Sequence, residues 1–203
     1  MNDFPVIISF YSSETPYQVE VQNLIASCKK FGLKTSIEGV PSFGSWELNC
    51  AYKPFFILKK LEELKTPVLW VDADGVFVQA PKREKVFTSD LSVRYERTLP
   101  DDHPSKVISS TVFVNCTEKG EDLVKFWAKE CEKSLLNSNR SGEFWDQVAL
   151  RDAILANPMK ASVEILPLSY AKIFDHQGDL KDVVNPVIEH YQASRRYKQI
   201  IGG

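Results

Sequence analysis

The stretch PVLWVDADGVFVQAP, residues 67–81, runs from five apolar or β-favouring residues into two aspartates one position apart, Asp72 and Asp74, and then Gly75. An apolar run of that length bounded by turn residues reads as a buried strand. Two carboxylates at its end repel each other, and each resists leaving water. Such a pair is tolerated where something positive sits between them, or where one of them attacks a substrate. In an extended segment, residues i and i+2 project to one side about 6.5–7 Å apart, so both aspartates are expected to converge on one object. Two hard oxygen ligands suit a divalent cation, Mn²⁺ or Mg²⁺. A cation that also binds a diphosphate turns it into a good leaving group.

Upstream, strands and helices alternate. PVIISFY (5–11) is a strand-length apolar run, followed by Thr15-Pro16-Tyr17-Gln18. Thr15 can cap a helix there, Pro16 fits its first position, and Gln18 completes a capping box. Gly32 is the expected stop. LKTSIEGV (33–40) reads as a second strand, and in SWELNCAYKPFFILKKLEEL (45–64) Phe55, Leu58, Leu61 and Leu64 fall at helical spacing after Pro54. With the strand at 67–71 this is the pattern of a parallel, doubly wound α/β sheet, whose ligands bind beyond the carboxyl ends of the strands. Tyr11, Asp72 and Asp74 all fall at such ends.

Downstream, DLSVRYE (90–96), KVISSTVFVN (106–115) and VEILP (163–167) read as strands. EKGEDLVKFWAKECEKSLL (118–136) reads as an amphipathic helix with Leu123, Phe126, Trp127 and Cys131 on one stripe. A loop, NSNRSG, leads to a helix over 143–156. The tail carries His190, in a helical or loop segment, and the basic residues Arg195, Arg196 and Lys198. No internal repeat or linker is present, so the 203 residues form a single domain.

Bulk composition excludes several classes. The net charge is −2, and no Lys/Arg face stands out, so nucleic acid is not an expected partner. No apolar stretch reaches the length of a transmembrane segment, and MNDFPVIISFYSS lacks the basic start of a secretory signal. Cys28, Cys50, Cys116 and Cys131 show neither CxxC nor zinc spacing, which suggests reduced thiols in a cytoplasmic protein. The sequons at Asn115 and Asn139 are then chance matches.

Several segments together resemble the nucleotide-diphospho-sugar transferases of GT-A fold, with glycogenin-like and arabinosyltransferase-like members. They are ISFYSS, SWELNCAYKPFFILKKL, VLWVDADGVFVQAP, SSTVFVN, FWDQVALRDAI and HYQASRRYK. The resemblance spreads over most of the chain. It implies a mostly parallel, doubly wound central sheet flanked by helices, with residues 1–80 as the nucleotide-binding half and 81–203 as the donor-sugar and acceptor half. It further implies that Tyr11 stacks on the base, that Asp72, Asp74 and His190 hold the metal, and that Asp146 and Gln147 approach the donor sugar. Lys53 would face the phosphates or the donor, and Trp46 would line the site. The late segment departs from the glycogenin-like pattern: it lacks the glycine after the histidine and the closing Lys-Pro-Trp. Ser194 and Arg195 are the residues there that can grip phosphate. The implied reaction moves a sugar from a nucleoside diphosphate, UDP by default, to a hydroxyl of a glycan, lipid or protein, with retention at the anomeric carbon.

Two other readings remain open. VDADGVF also matches the first motif of haloacid dehalogenase-like phosphatases, in which Asp72 would be the nucleophile beside Mg²⁺. That motif normally sits on the first strand, however, and two strand–helix units precede it here. A nucleotide-sugar or glycan-binding protein without catalysis is the other.

Overall fold

A computed structural model describes residues 4–82, 84–136 and 145–201. The strands are β1 (Val6–Ser12), β2 (Thr35–Val40), β3 (Val68–Val71), β4 (Gly75–Phe77), β5 (Leu91–Tyr95), β6 (Val107–Val114), β7 (Val163–Ile165), β8 (Lys172–Ile173) and β9 (Ile188–His190). The helices are α1 (Tyr17–Lys30), α2 (Trp46–Ala51), α3 (Lys53–Leu64), α4 (Glu118–Leu136), α5 (Asp146–Ala156), α6 (Gln177–Asp182) and α7 (Ser194–Ile201). Six strands form the central sheet in the order β2-β1-β3-β6-β5-β7. β6 pairs antiparallel with both of its neighbours and every other pairing is parallel, so five strands share one direction. β5, β6 and β7 of the second half thus complete the sheet begun by the first.

The two-residue period of a strand sorts the core onto both faces of this sheet. Ile8, Phe10, Val68, Trp70, Val112 and Val114 point to one side, where Phe56, Ile57 and Leu61 of α3, Leu123 and Trp127 of α4, and Leu150 of α5 cover them. Ile7, Leu69, Val71 and Phe113 point to the other, against Val21, Leu24 and Cys28 of α1. A second sheet, β4-β9-β8, closes that side, with Phe77 and Ile188 in the same cluster. It is tied to α1 by the Phe77 N–H, which donates to Ser27 Oγ at 3.1 Å.

Local details depart from the sequence reading for identifiable reasons. The capping interactions of α1 sit one residue early: Gln18 Oε1 accepts from Glu14 N–H and Thr15 Oγ from Tyr17 N–H, which puts Pro16 at the cap. Gly32 follows the end of α1 with φ +63°, the left-handed conformation that glycine adopts without penalty. The segment 45–64 is two helices that meet at Tyr52. α3 buries Phe56, Ile57, Lys60 and Leu61, while Phe55 lies exposed. His190 belongs to strand β9 rather than to a helix or loop. The loop expected at 137–142, with Asn139, lies outside the described residues, as do Glu143 and Phe144 of the helix expected from 143. Among the described residues no disulfide forms, and no helix is long and apolar enough to cross a membrane.

Leu61 is 1% exposed in the layer between α3 and the sheet. Leu61→Ala is expected to cost about 2–5 kcal/mol, read as a lower urea midpoint at unchanged slope. A loss under about 1 kcal/mol would show that α3 is not held by this contact.

Candidate active site

One large cleft, of about 710 Å³, opens at the carboxyl ends of β1 and β3. Tyr11, Trp46, Lys53, Asp72, Asp74, Asp146, Gln147, Ser194 and Arg195 all line it. His190 is fully buried directly behind Asp74.

Asp72 and Asp74 are not on an extended segment. The Gly75 N–H donates to Asp72 O at 2.8 Å, closing a four-residue turn between β3 and β4. Asp at the first place of a turn and Gly at the fourth are the residues such a turn prefers, so Asp72-Ala73-Asp74-Gly75 already carried the signal. The turn sends the two carboxylates to different partners. Asp72 Oδ1 accepts from Trp70 Nε1 at 2.8 Å and lies 3.0 Å from Lys53 Nζ. Asp74 Oδ2 accepts from the Ala193 N–H at 2.6 Å, and its Oδ1 stands 3.6 Å from His190 Nδ1.

The small sheet creates that second meeting. β4 pairs with β9 so that Gly75 lies opposite His190. A Cβ at residue 75 would come within 2.5 Å of Val71 Cγ1 and 3.0 Å of His190 Cε1, so only glycine fits between β3 and the ring. From the central sheet, Thr111 Oγ1 holds His190 Nε2 at 2.8 Å. The remaining ring nitrogen, Nδ1, is buried without a hydrogen-bond partner. At 3.6 Å from a carboxylate oxygen it is beyond hydrogen-bonding distance. An imidazole nitrogen without a hydrogen-bond partner and a carboxylate oxygen facing it are two atoms able to ligate one cation. The three expected metal ligands therefore do not act alike: Asp74 and His190 face each other, and Asp72 is turned to Lys53. Among the described residues no group of three or more His, Cys, Asp and Glu side chains stands ready to hold a metal.

Lys53 is 5% exposed and ties the other half of the site together. Its ammonium lies 3.0 Å from Asp72 Oδ1 and 2.9 Å from Asp146 Oδ2, and donates to both the carbonyl and the hydroxyl of Ser109 at 3.2 Å. Burial alone would push its pKa down. Asp146 and Asp72 outweigh burial and raise it, so Lys53 remains charged. It thus faces two carboxylates at the wall of the cleft. Burial pushes the Asp72 carboxyl up and Asp74 adds repulsion, with Lys53 opposing both. A third of the Asp72 side chain still reaches solvent, so this is the desolvation of a cleft wall. For Asp74 burial also acts upward, but the His190 ring and the Ala193 N–H prevail and hold it low.

Asp146 opens α5, where an acidic residue suits the helix dipole. Its Oδ2 also accepts from Ser109 Oγ at 2.8 Å, and Trp127 Nε1 donates to its carbonyl at 3.0 Å. Gln147 Nε2 donates to Pro104 O. Tyr11 lies across β2 at Gly39, where any Cβ would come within 3.0 Å of the ring. Arg195 pairs with Asp175 on the open side. Tyr17, which the sequence reading did not single out, also lines the cleft and shares a hydrogen bond with Trp46.

No protein-family model matches the chain, and no curated protein matches it in sequence. Solved structures do match. A glycosyltransferase involved in the glycosylation of the major capsid of PBCV-1 aligns with a TM-score of 0.67 at 12% identity, covering 97% of each chain. The glycosyltransferase GlyE of Streptococcus pneumoniae TIGR4 aligns with a TM-score of 0.58 at 13% identity, over 94% of this chain and 55% of that one. The fold is GT-A-like. This chain spans about half the length of GlyE and nearly all of the viral enzyme. In the GT-A-like frame, the turn after β3 and the strand β9 meet at the floor of the cleft, and α2, α5 and the start of α7 supply its walls.

Replacing Lys53 with methionine leaves Asp72 and Asp146 facing each other without a cation. The expected loss is about 3 kcal/mol, the low end for a broken buried pair because Asp72 is partly solvated. Adding Asp146→Asn to Lys53→Met should recover part of it in a double-mutant cycle of urea midpoints. Additive losses would mean that Lys53 and Asp146 do not interact.

Proposed function

We propose that the protein is a metal-dependent glycosyltransferase that moves a sugar from a nucleoside diphosphate to an acceptor hydroxyl. The observation that carries this reading is the unpartnered Nδ1 of His190 facing Asp74 at the floor of a GT-A-like cleft. One imidazole and one carboxylate fit a Mn²⁺ or Mg²⁺ site completed by substrate oxygens and water, which is how such ions are held in phosphate-binding sites. Asp74 and His190 would hold the ion, with Asp72 beside them. When bound, it supplies positive charge to the diphosphate leaving group.

The chain's own residues account for the rest. Tyr11 and Trp46 offer flat walls for the base, for which uridine is the default that the resemblance carries. Ser194 and Arg195, which line the cleft at the start of α7, would meet phosphate oxygens. Lys53 ties Asp72 and Asp146 in place, so that Asp146 and Gln147 would present a rigid polar edge to the donor sugar. Preorganised charge of this kind is how a site that forms no covalent bond to its substrate lowers a barrier. The phosphatase alternative finds less support. Asp179 of GDLKD (178–182), which imitates the late acidic motif of those phosphatases, is buried in an ion pair with Arg94, and both solved structures above are glycosyltransferases.

Calorimetry with UDP-, GDP- and ADP-sugars, with and without Mn²⁺, tests the proposal. Binding of one of them is expected to need the cation and to weaken at least about tenfold, some 1.4 kcal/mol, in Asp74→Asn. Donor affinity that survives removal of all divalent ions would refute it. Phosphate release from a simple phosphomonoester, lost in Asp72→Asn, would favour the phosphatase.

A further inference from the structure

Another wall of the cleft, formed by Arg94, Glu96, Ile173 and His176, has no part in the site described so far. Behind it lies Asp179, 2% exposed and held on three sides. Arg94 grips it with two hydrogen bonds, Nη1 to Oδ2 at 2.6 Å and Nη2 to Oδ1 at 2.7 Å. The Ile173 N–H donates to Oδ2 at 2.7 Å. Arg94 is itself 1% exposed and anchored by Glu96 Oε1 and by the carbonyl of Ala171.

Against this fixed carboxylate stands His176, with Nδ1 at 2.9 Å from Asp179 Oδ1. The Asp179 N–H lies farther from the same nitrogen, at 3.3 Å. The shorter contact assigns the proton to Nδ1, donating to the carboxylate, and leaves the lone pair on Nε2. The His176 side chain is 47% exposed, and Nε2 has no hydrogen-bond partner among the described residues. Gly178 leaves room for the ring, since a Cβ there would lie 3.1 Å from Cε1. A buried carboxylate, held by an arginine, thus orients an imidazole whose free nitrogen is accessible on a cleft wall. A base positioned by a third group in this way is how a hydroxyl is activated. Asp146 is less suited to the task, because Lys53 and Ser109 already occupy its Oδ2.

We infer that His176, oriented by Asp179, is the proton acceptor for the acceptor hydroxyl; the inference rests on the glycosyl-transfer reading. The hydroxyl proton moves to Nε2 and the hydroxyl oxygen bonds to the anomeric carbon on the face opposite the leaving phosphate, so this step inverts the anomeric centre instead of retaining it as the resemblance implied. The bond from that carbon to the phosphate oxygen breaks, and its electron pair leaves with the nucleoside diphosphate. Asp179 and Arg94 are positioning residues that hold the ring.

The test uses the whole chain, the same panel of UDP-, GDP- and ADP-sugars with Mn²⁺, and water as acceptor, following nucleoside diphosphate release. His176→Ala should lower kcat about 10²-fold in a protein that remains folded and binds the donor with unchanged calorimetric affinity, and added imidazole should restore the rate. A kcat within about twofold of wild type, or a fall that imidazole does not reverse, would overturn the inference while leaving sugar transfer standing. Absence of turnover with every donor in the wild-type protein would instead remove the transfer reading, and this inference with it.

Discussion

The ammonium of Lys53 between Asp72 and Asp146 is the interaction on which the site depends. Without a cation there, the end of β3 and the start of α5 would each carry a carboxylate into the same poorly solvated corner. Like charges at that separation cannot both remain ionised cheaply. Lys53 also reaches Ser109 on β6, so a single group links α3, β3, β6 and α5. A neutral side chain of the same length would fill the space but leave the electrostatics unresolved. The lysine is therefore a structural part of the cleft as much as a chemical one.

The second sheet performs a complementary task with backbone. β4 and β9 bring the turn after β3 against the segment 190–193, and the Ala193 N–H and the His190 ring then fix Asp74. The two aspartates of one short motif are thus governed by different parts of the molecule. Asp72 belongs to the lysine network of the central sheet and Asp74 to the small sheet. Their separation in role follows from the turn, which points adjacent carboxylates to unlike surroundings.

Much of this was legible in the residues. The strands at 5–11, 67–71, 90–96 and 106–115 and the helix at 118–136 follow from local apolar patterning, and all appear within a residue or two of their expected limits. The convergence of Tyr11, Asp72 and Asp74 on one cleft follows from the rule for strand ends. Other features were hidden because they depend on distant partners. The buried face of α3 is set by its packing against the sheet and α4, which the spacing of Phe55, Leu58, Leu61 and Leu64 alone does not reveal. β4, β8 and β9 are two or three residues long and exist through mutual pairing. The pairing of Lys53 with Asp72 and Asp146 joins separate segments and leaves no local trace. The bond between Arg94 and Asp179 spans 85 positions and leaves no local trace. The Asp-Ala-Asp-Gly turn is different in kind, since its preference was present and an extended strand was read in its place.

The contact between Asp74 and Ala193 joins residues 119 positions apart. On the ribosome, β1, β3 and the aspartate turn emerge well before the strand that must clamp them. The central strands can begin to pair while the floor of the cleft is still open, and the pocket is complete only once residues 188–193 have been made. Synthesis halted between β7 and β9 leaves the central sheet with its acidic turn unclamped.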